Sequence, residues 1–346
     1  MPWTEWTDPA FDAARALHAR VGLIDLHVDS IIQNRLFGYD PRRRHRAGWP
    51  GQPLFWHADL PRMHDATYGG ACLGIHYWPV EREGGWVECT KQIDVVDALG
   101  AADDTCLRVR CADDWDRAHE TGRVALCPGV EGAHMLNGHI SRVAELAARD
   151  VAYLTLAHFS KNAAATPSLG RGADETSGLS HFGREVVRAC NAHGIAVDVA
   201  HVNTPGVLDA CAASTAPVFC THTGVKGVHD SARNITDEEI DAIAELDGAI
   251  GIILGPGFLT GSHRADHRCV VDHIEYVVER VGWRHVSVGS DLDGWLPRIP
   301  NDMKDCRDLV KVTQSLLDRG HAEDDVALML RANTMRVFRA VEAAAD

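Results

Sequence analysis

A closed (β/α)8 barrel is the fold this sequence predicts. Eight short apolar, β-branched runs recur along 346 residues, and helical patterns separate most of them. No G-x-G-x-x-G follows the first run, as a dinucleotide-binding open sheet would show. The doubly wound open sheet is therefore the second choice.

In chain order the runs are "VGLIDLH" (21–27), "ACLGIHYW" (71–78), "VALCPGVEG" (124–132) and "YLTLAH" (153–158). They continue with "IAVDVAH" (195–201), "APVFCTH" (216–222), "AIGIILG" (249–255) and "HVSVGSD" (285–291). Each is short enough for a buried parallel strand and is bounded by turn residues or by an amphipathic stretch. The helical candidates between them are "ISRVAELAARD", "FGREVVRACNAHG", "TPGVLDACAAS", "DEEIDAIAEL" and "VVDHIEYVVERVG". Residues 31–70 are rich in Pro and Gly and read as a long loop after the first strand, so the expected organisation is one barrel domain over 1–346.

Composition narrows the function class. A net charge of −15 and a single short basic cluster, "PRRRHR" at 41–46, make nucleic acid a poor partner. The ten cysteines form no C-x-x-C pair and mostly lie in apolar context, which points to a reducing, cytoplasmic compartment without disulfides. No apolar stretch is long enough to span a membrane, and the first twenty residues lack the pattern of a secretory signal.

In such a barrel the active site lies at the C-terminal ends of the strands. His27 and Asp29 follow the first run, Glu131 the third, His158 the fourth, His201 the fifth, His222 the sixth and Asp291 the eighth. Six of eight runs ending in His, Asp or Glu is a metal-site pattern, since imidazole and carboxylate bind Zn²⁺ and similar cations. Two cations held close together need a bridge, and Glu131 in "GVEG" suits that role because glycines flank it. His27, Asp29 and Asp291 would then hold one cation, and His201 and His222 the other. Asp291 could also accept and return the proton of an attacking water.

At these residues the chain resembles the membrane (renal) dipeptidase family, peptidase family M19, a branch of the binuclear amidohydrolases. The matching stretches are "IDLHVD", "GVEGAHML", "YLTLAHFSKN", "GLSHFGREVVRACNAHGIAVDVAHV", "CTHTGVKGVHDSARNITD", "DHIEYVVERVGWRHVSVGSDLDG" and "ANTMRVFRAVE", in order over nearly the whole chain. The resemblance implies two divalent ions, Zn²⁺ first among them, on His27, Asp29, Glu131, His201 and His222. It implies Asp291 for proton transfer, His158 to polarise the scissile carbonyl, and Arg233 in "SARN" to hold the substrate's terminal carboxylate. It also suggests a homodimer and a dipeptide substrate, including tolerance of a D-residue at the C-terminal position.

Departures from the vertebrate members concern the stretch after the first strand, the seventh run "GIILGPGFLTG" without a following Tyr, and His181 in "GLSHFG". A bridging glutamate separates this branch from relatives that use a carboxylated lysine. Two other functions stay open at this point: hydrolysis of another amide, such as a β-lactam or a biosynthetic conjugate, and a non-catalytic binding barrel. His76, at the end of the second run, reads as surface or core, and Asp293 as a turn residue. His273 reads as a buried hydrogen-bonded side chain. His134, His139, His193, His229, His263, His267, His285 and His321 read as helix or loop residues, and "PRRRHR" as a solvated loop.

Overall fold

The computed structural model describes residues 4–46, 48–51, 56–102 and 104–345. Its strands are β1 (Leu23–Val28), β2 (Tyr68–Ile75), β3 (Cys106–Arg108), β4 (Val124–Glu131) and β5 (Tyr153–Thr155). The rest are β6 (Ala196–Asp198), β7 (Phe219–Thr223), β8 (Ala249–Ile252) and β9 (Val286–Val288). All pairings are parallel; the order β2-β1-β9-β8-β7-β6-β5-β4 closes on itself through β2–β4, giving an eight-stranded barrel. Each of the eight expected runs supplies one of these strands. β3 is additional: it pairs with Val124–Leu126 of β4 on the edge that β5 takes farther along. Its three residues are too few to show a periodicity.

The five helical candidates form Ser141–Ala147, His181–Ala192, Thr204–Ala213, Asp237–Glu245 and Arg268–Val281. Their starts follow side-chain chemistry. Ser180, Asn203 and Thr236 each accept a hydrogen bond from the backbone N–H three residues on. The expected loop at 31–70 needs correction. It carries the helix Ser30–Phe37 and the helix Leu60–Asp65, capped by Asp59, and β2 begins at Tyr68. Asp59 also pairs with buried Arg62 at 2.8 Å, a local tie that Pro/Gly content does not reveal. Residues 47 and 52–55 of that stretch lie outside the described residues.

The core has two shells. An outer shell joins strand faces to the surrounding helices. An inner shell holds Ile24, Leu26, Cys72, Ala125, Cys127, Tyr153, Ala196, Phe219 and Ala249, with Trp115 and Phe338 stacked at 5.6 Å. In β4, Ala125 and Cys127 face inward, and the two-residue period carries the same face through Gly129 to Glu131. An apolar interior thus turns polar at the strand ends. No helix among the described residues is long and apolar enough to cross a membrane.

Candidate active site

Four imidazoles converge on one carboxylate. Glu131 Oε1 lies 3.1 Å from His201 Nε2, 3.5 Å from His158 Nε2, and 3.6 Å from both His27 Nε2 and His222 Nε2. His27 Nε2 is also 3.3 Å from Asp29 Oδ1. His27 and His222 stack at 4.0 Å, and the Nε2 atoms of His201 and His222 face each other at 2.9 Å. Potential ligand atoms of His27, Asp29 and Glu131 lie within 4.8 Å of one another, as do those of Glu131, His201 and His222. A third such group joins His27, His222 and Asp291. The seven residues expected at the strand ends are therefore brought to one place, and each is at most 7% exposed.

Backbone geometry aims them there. Asp291 donates its N–H to the His27 carbonyl at 3.0 Å, and Asp29 donates to the Leu292 carbonyl at 2.8 Å, so the loops after β1 and β9 are laced together. His201 and Asp291 have φ of 65° and 56°, a region rarely occupied by non-glycine residues and concentrated at functional sites. Gly74 and Gly294 make room for the carboxylates. A Cβ on either would fall 1.8 Å from Oδ1 of Asp29 or Asp291, respectively.

Outer contacts fix ring orientation. Thr221 Oγ1 donates to Asp198 Oδ2 at 2.9 Å, so it accepts from His222 Nδ1 at 2.9 Å and leaves Nε2 a free lone pair. Tyr153 Oη meets His27 Nδ1 at 2.6 Å and holds that ring in place. Asp25 accepts from the backbone N–H of Ser290 at 2.9 Å and ties β1 to the loop that carries Asp291.

Electrostatics set the demand for a cation. Burial raises Glu131 to about 8, with nearby His27 opposing the rise. Burial, reinforced by Asp29, pushes Asp291 well above the usual carboxylate range. Burial would lower His27, but Asp29, Glu131 and Asp291 override it and hold the imidazole up at about 10. His158, His201 and His222 sit well below the ordinary imidazole range, chiefly through burial, and are neutral donors near pH 7. His27 Nε2 and Asp29 Oδ1 have no hydrogen-bond partner. Uncompensated acidic groups, neutral imidazole lone pairs and orphaned buried donor atoms together fit a pair of divalent cations with N/O ligands.

Arg233, 3% exposed, donates to the His222 carbonyl at 2.7 Å from the loop after β7. It shares a cavity of about 50 Å³ with Asp29, Glu131, His158, His201 and Asp291. Ile32, Phe159, Phe258, Trp295 and Leu296 form the apolar side of that cavity. A second cavity of about 410 Å³ also reaches His201 and Arg233 and continues along Asn203, Lys226 and Glu239.

His76 is buried, as the core alternative of the sequence reading has it, but it lies at the site. It is 5% exposed, lines the small cavity and meets His158 edge-on at 4.7 Å. Its position at the end of a barrel strand was the available signal. Tyr153, Thr221 and Asp198 were not singled out; a lone Asp inside an apolar strand was the trace of the last. Asp293 has the positive φ (68°) of a turn residue. It is also fully buried, and its carboxylate accepts from His57 N at 2.6 Å and Ser30 Oγ at 2.9 Å. His273 is buried, with Nδ1 accepting from Val225 N and Nε2 donating to the Leu259 carbonyl, both at 2.9 Å.

A family model described as membrane dipeptidase (peptidase family M19) matches residues 11–346. The dipeptidase tcpJ of Claviceps purpurea is 32% identical over 316 residues, 85% of this chain and 71% of that protein. Among solved structures, the probable dipeptidase PvdM of Pseudomonas aeruginosa superposes with a TM-score of 0.85 at 21% identity, covering 98% of this chain and 100% of that one. A metallopeptidase of Rhodobacter sphaeroides, liganded with a phosphinate mimic of the dipeptide L-Ala-D-Ala, gives 0.82 at 21% identity over 93% and 99%. With a metal-ready barrel mouth and a family match over nearly its whole length, the chain belongs to the membrane dipeptidase family and is a metal-dependent dipeptidase.

Proposed function

We propose that this enzyme is zinc-dependent and cleaves the peptide bond of unblocked dipeptides, L-Xaa-D-Xaa included. His27, Asp29 and Glu131 would hold one cation, and Glu131, His201 and His222 the other. Two such ions supply Lewis acidity and an activated water. Around them the side chains divide the work. Arg233 pairs its guanidinium fork with the terminal carboxylate. His158 donates to the scissile carbonyl oxygen as negative charge develops there. Asp291 takes a proton from the water and returns it to the leaving amine. The acidic set Asp29, Glu131 and Asp291 favours a free ammonium at the other end of the substrate.

The observation that carries this reading is the placement of Arg233 and the three carboxylates around one small cavity with His158 beside them. A pocket that reads a carboxylate at one end and an ammonium at the other suits a substrate of two residues. The dipeptide mimic held by the Rhodobacter relative supports the substrate class and the D-configuration at the C-terminal residue. The ten free cysteines suit a reducing, cytoplasmic setting. A panel of L-Xaa-L-Xaa and L-Xaa-D-Xaa dipeptides beside their N-acetyl and C-amide forms tests it. Free forms should be cut and blocked forms poorly, because blocking leaves buried charges unpaired. Equal turnover of free and blocked forms would overturn the dipeptide reading.

A second reading, hydrolysis of a larger amide such as a biosynthetic conjugate or a β-lactam, draws on the 410 Å³ cavity beyond His201 and Arg233. Elemental analysis of purified protein decides the metal. About two zinc ions per chain are expected.

A further inference from the structure

We infer that His76, His158 and Glu131 form a third cation site, filled only at excess metal and inhibitory when filled. The inference rests on the binuclear reading above.

Ligand atoms of these three residues lie within 4.8 Å of one another, and all three residues are buried. The two cations of the proposed reaction use His27, Asp29, His201 and His222 and share Glu131. They leave the imidazoles of His76 and His158 unused as ligands. Nδ1 of His76 and Nδ1 of His158 are both buried without a hydrogen-bond partner. His158 Nε2 lies 3.5 Å from Glu131 Oε1, and the three side chains together form an N/O donor set that a first-row cation fits.

His76 is also held in place. Gln92 grips its backbone from both sides, accepting from His76 N at 3.3 Å and donating to His76 O at 2.9 Å. The edge-on contact with His158 then fixes the two rings relative to each other. The small cavity that His76 and His158 line gives a cation the same way in as the substrate.

Affinity and effect follow from charge and overlap. Glu131 would already be committed to two dications, so a third ion meets net repulsion and binds more weakly than the first two. Once bound, it withdraws His158 from the scissile carbonyl and occupies the place of the carbonyl oxygen. Hydrolysis should therefore switch on with the first ions and off with the third, and the inhibition should compete with dipeptide.

The test is a zinc titration of metal-depleted enzyme in metal-buffered solution. Bound zinc is counted by mass spectrometry after equilibrium dialysis, and dipeptide hydrolysis is followed in parallel. Two tight equivalents and one weaker, inhibitory equivalent are expected. His76→Phe keeps the ring volume and should retain the first two equivalents but lose the third. The inhibitory zinc concentration, measured against that variant's own maximum rate, should rise about tenfold or more. His76→Ala, checked by thermal melting, should lose the same equivalent. Two tight equivalents with no third, or a third that survives in both His76 variants, would overturn the site. Fewer than two tight equivalents would overturn the binuclear reading, and the third site with it.

Discussion

At the N-terminal end of the barrel the interior is filled by Ile24, Leu26, Phe219 and Ala249, closed off by Trp115 and Phe338. At the C-terminal end it is filled by His27, Asp29, Glu131, His201, His222 and Asp291. Both ends are almost fully shielded from water, yet they are satisfied differently. Apolar side chains complete one another by contact, and Phe219 meets Phe338 edge-to-face at 5.0 Å. The polar end leaves ring nitrogens and a carboxylate oxygen without partners and holds carboxyls above their ordinary range. One end stabilises the fold, and the other is finished only by something bound. Tyr153 marks the boundary, with its ring in the apolar cluster and its hydroxyl on His27.

Substitutions on the two sides should therefore separate activity from stability. Glu131→Gln removes the shared carboxylate with little change in volume. It should lower kcat/KM by well over about 100-fold, beyond the range for loss of an outer contact, and release bound metal while the protein still folds. Activity together with elemental analysis checks this; full metal content with full activity would dissolve the distinction between the two ends. Phe219→Ala should do the reverse, costing about 3–5 kcal/mol of unfolding free energy through the cavity it leaves. Denaturant melts report that cost, and metal content per folded chain should stay unchanged.

Within the polar end, Arg233→Lys should lower kcat/KM by the equivalent of about 2–4 kcal/mol, because an ammonium cannot reproduce the guanidinium fork. Steady-state kinetics on a free dipeptide would read it, and unaltered kinetics would put the carboxylate clamp elsewhere. Tyr153→Phe keeps the ring but deletes the hydroxyl on His27, and about 10–100-fold weaker metal binding is expected. Competition with a chelator measures that, and undiminished affinity would return Tyr153 wholly to the apolar side.

The smallest effect concerns pH. In metal-free protein, Glu131 is raised to about 8 and His27 to about 10, so the folded state holds protons that the unfolded chain has already released. Their stabilising contribution is complete below the unfolded values and is lost as pH rises through those folded values. Metal-free protein should therefore lose stability, read as a falling Tm, between about pH 6 and 9. Metal-loaded protein should change less, because the cations replace those protons. Calorimetric scans across that range provide the measurement, and parallel curves for the two forms would contradict it.

The sequence by itself determined the barrel and the residues at its mouth. Apolar runs of strand length separated by amphipathic helices leave few other folds, and polar residues at their C-terminal ends can be read without coordinates. The short β3 and the helices in 31–70 escaped because three residues show no period and because buried Arg62 meets Asp305, 243 positions away, only in the folded chain. The same holds for the site's outer contacts. Tyr153 is 126 residues from His27, and Asp198 is 23 from Thr221, so nothing local marks either pair. His76 was visible as a histidine at a strand end, but its value depends on lying beside His158 and Glu131, 82 and 55 positions away. Tertiary structure decided those partnerships, because side-chain chemistry is written along the chain whereas distance is set only when the barrel closes.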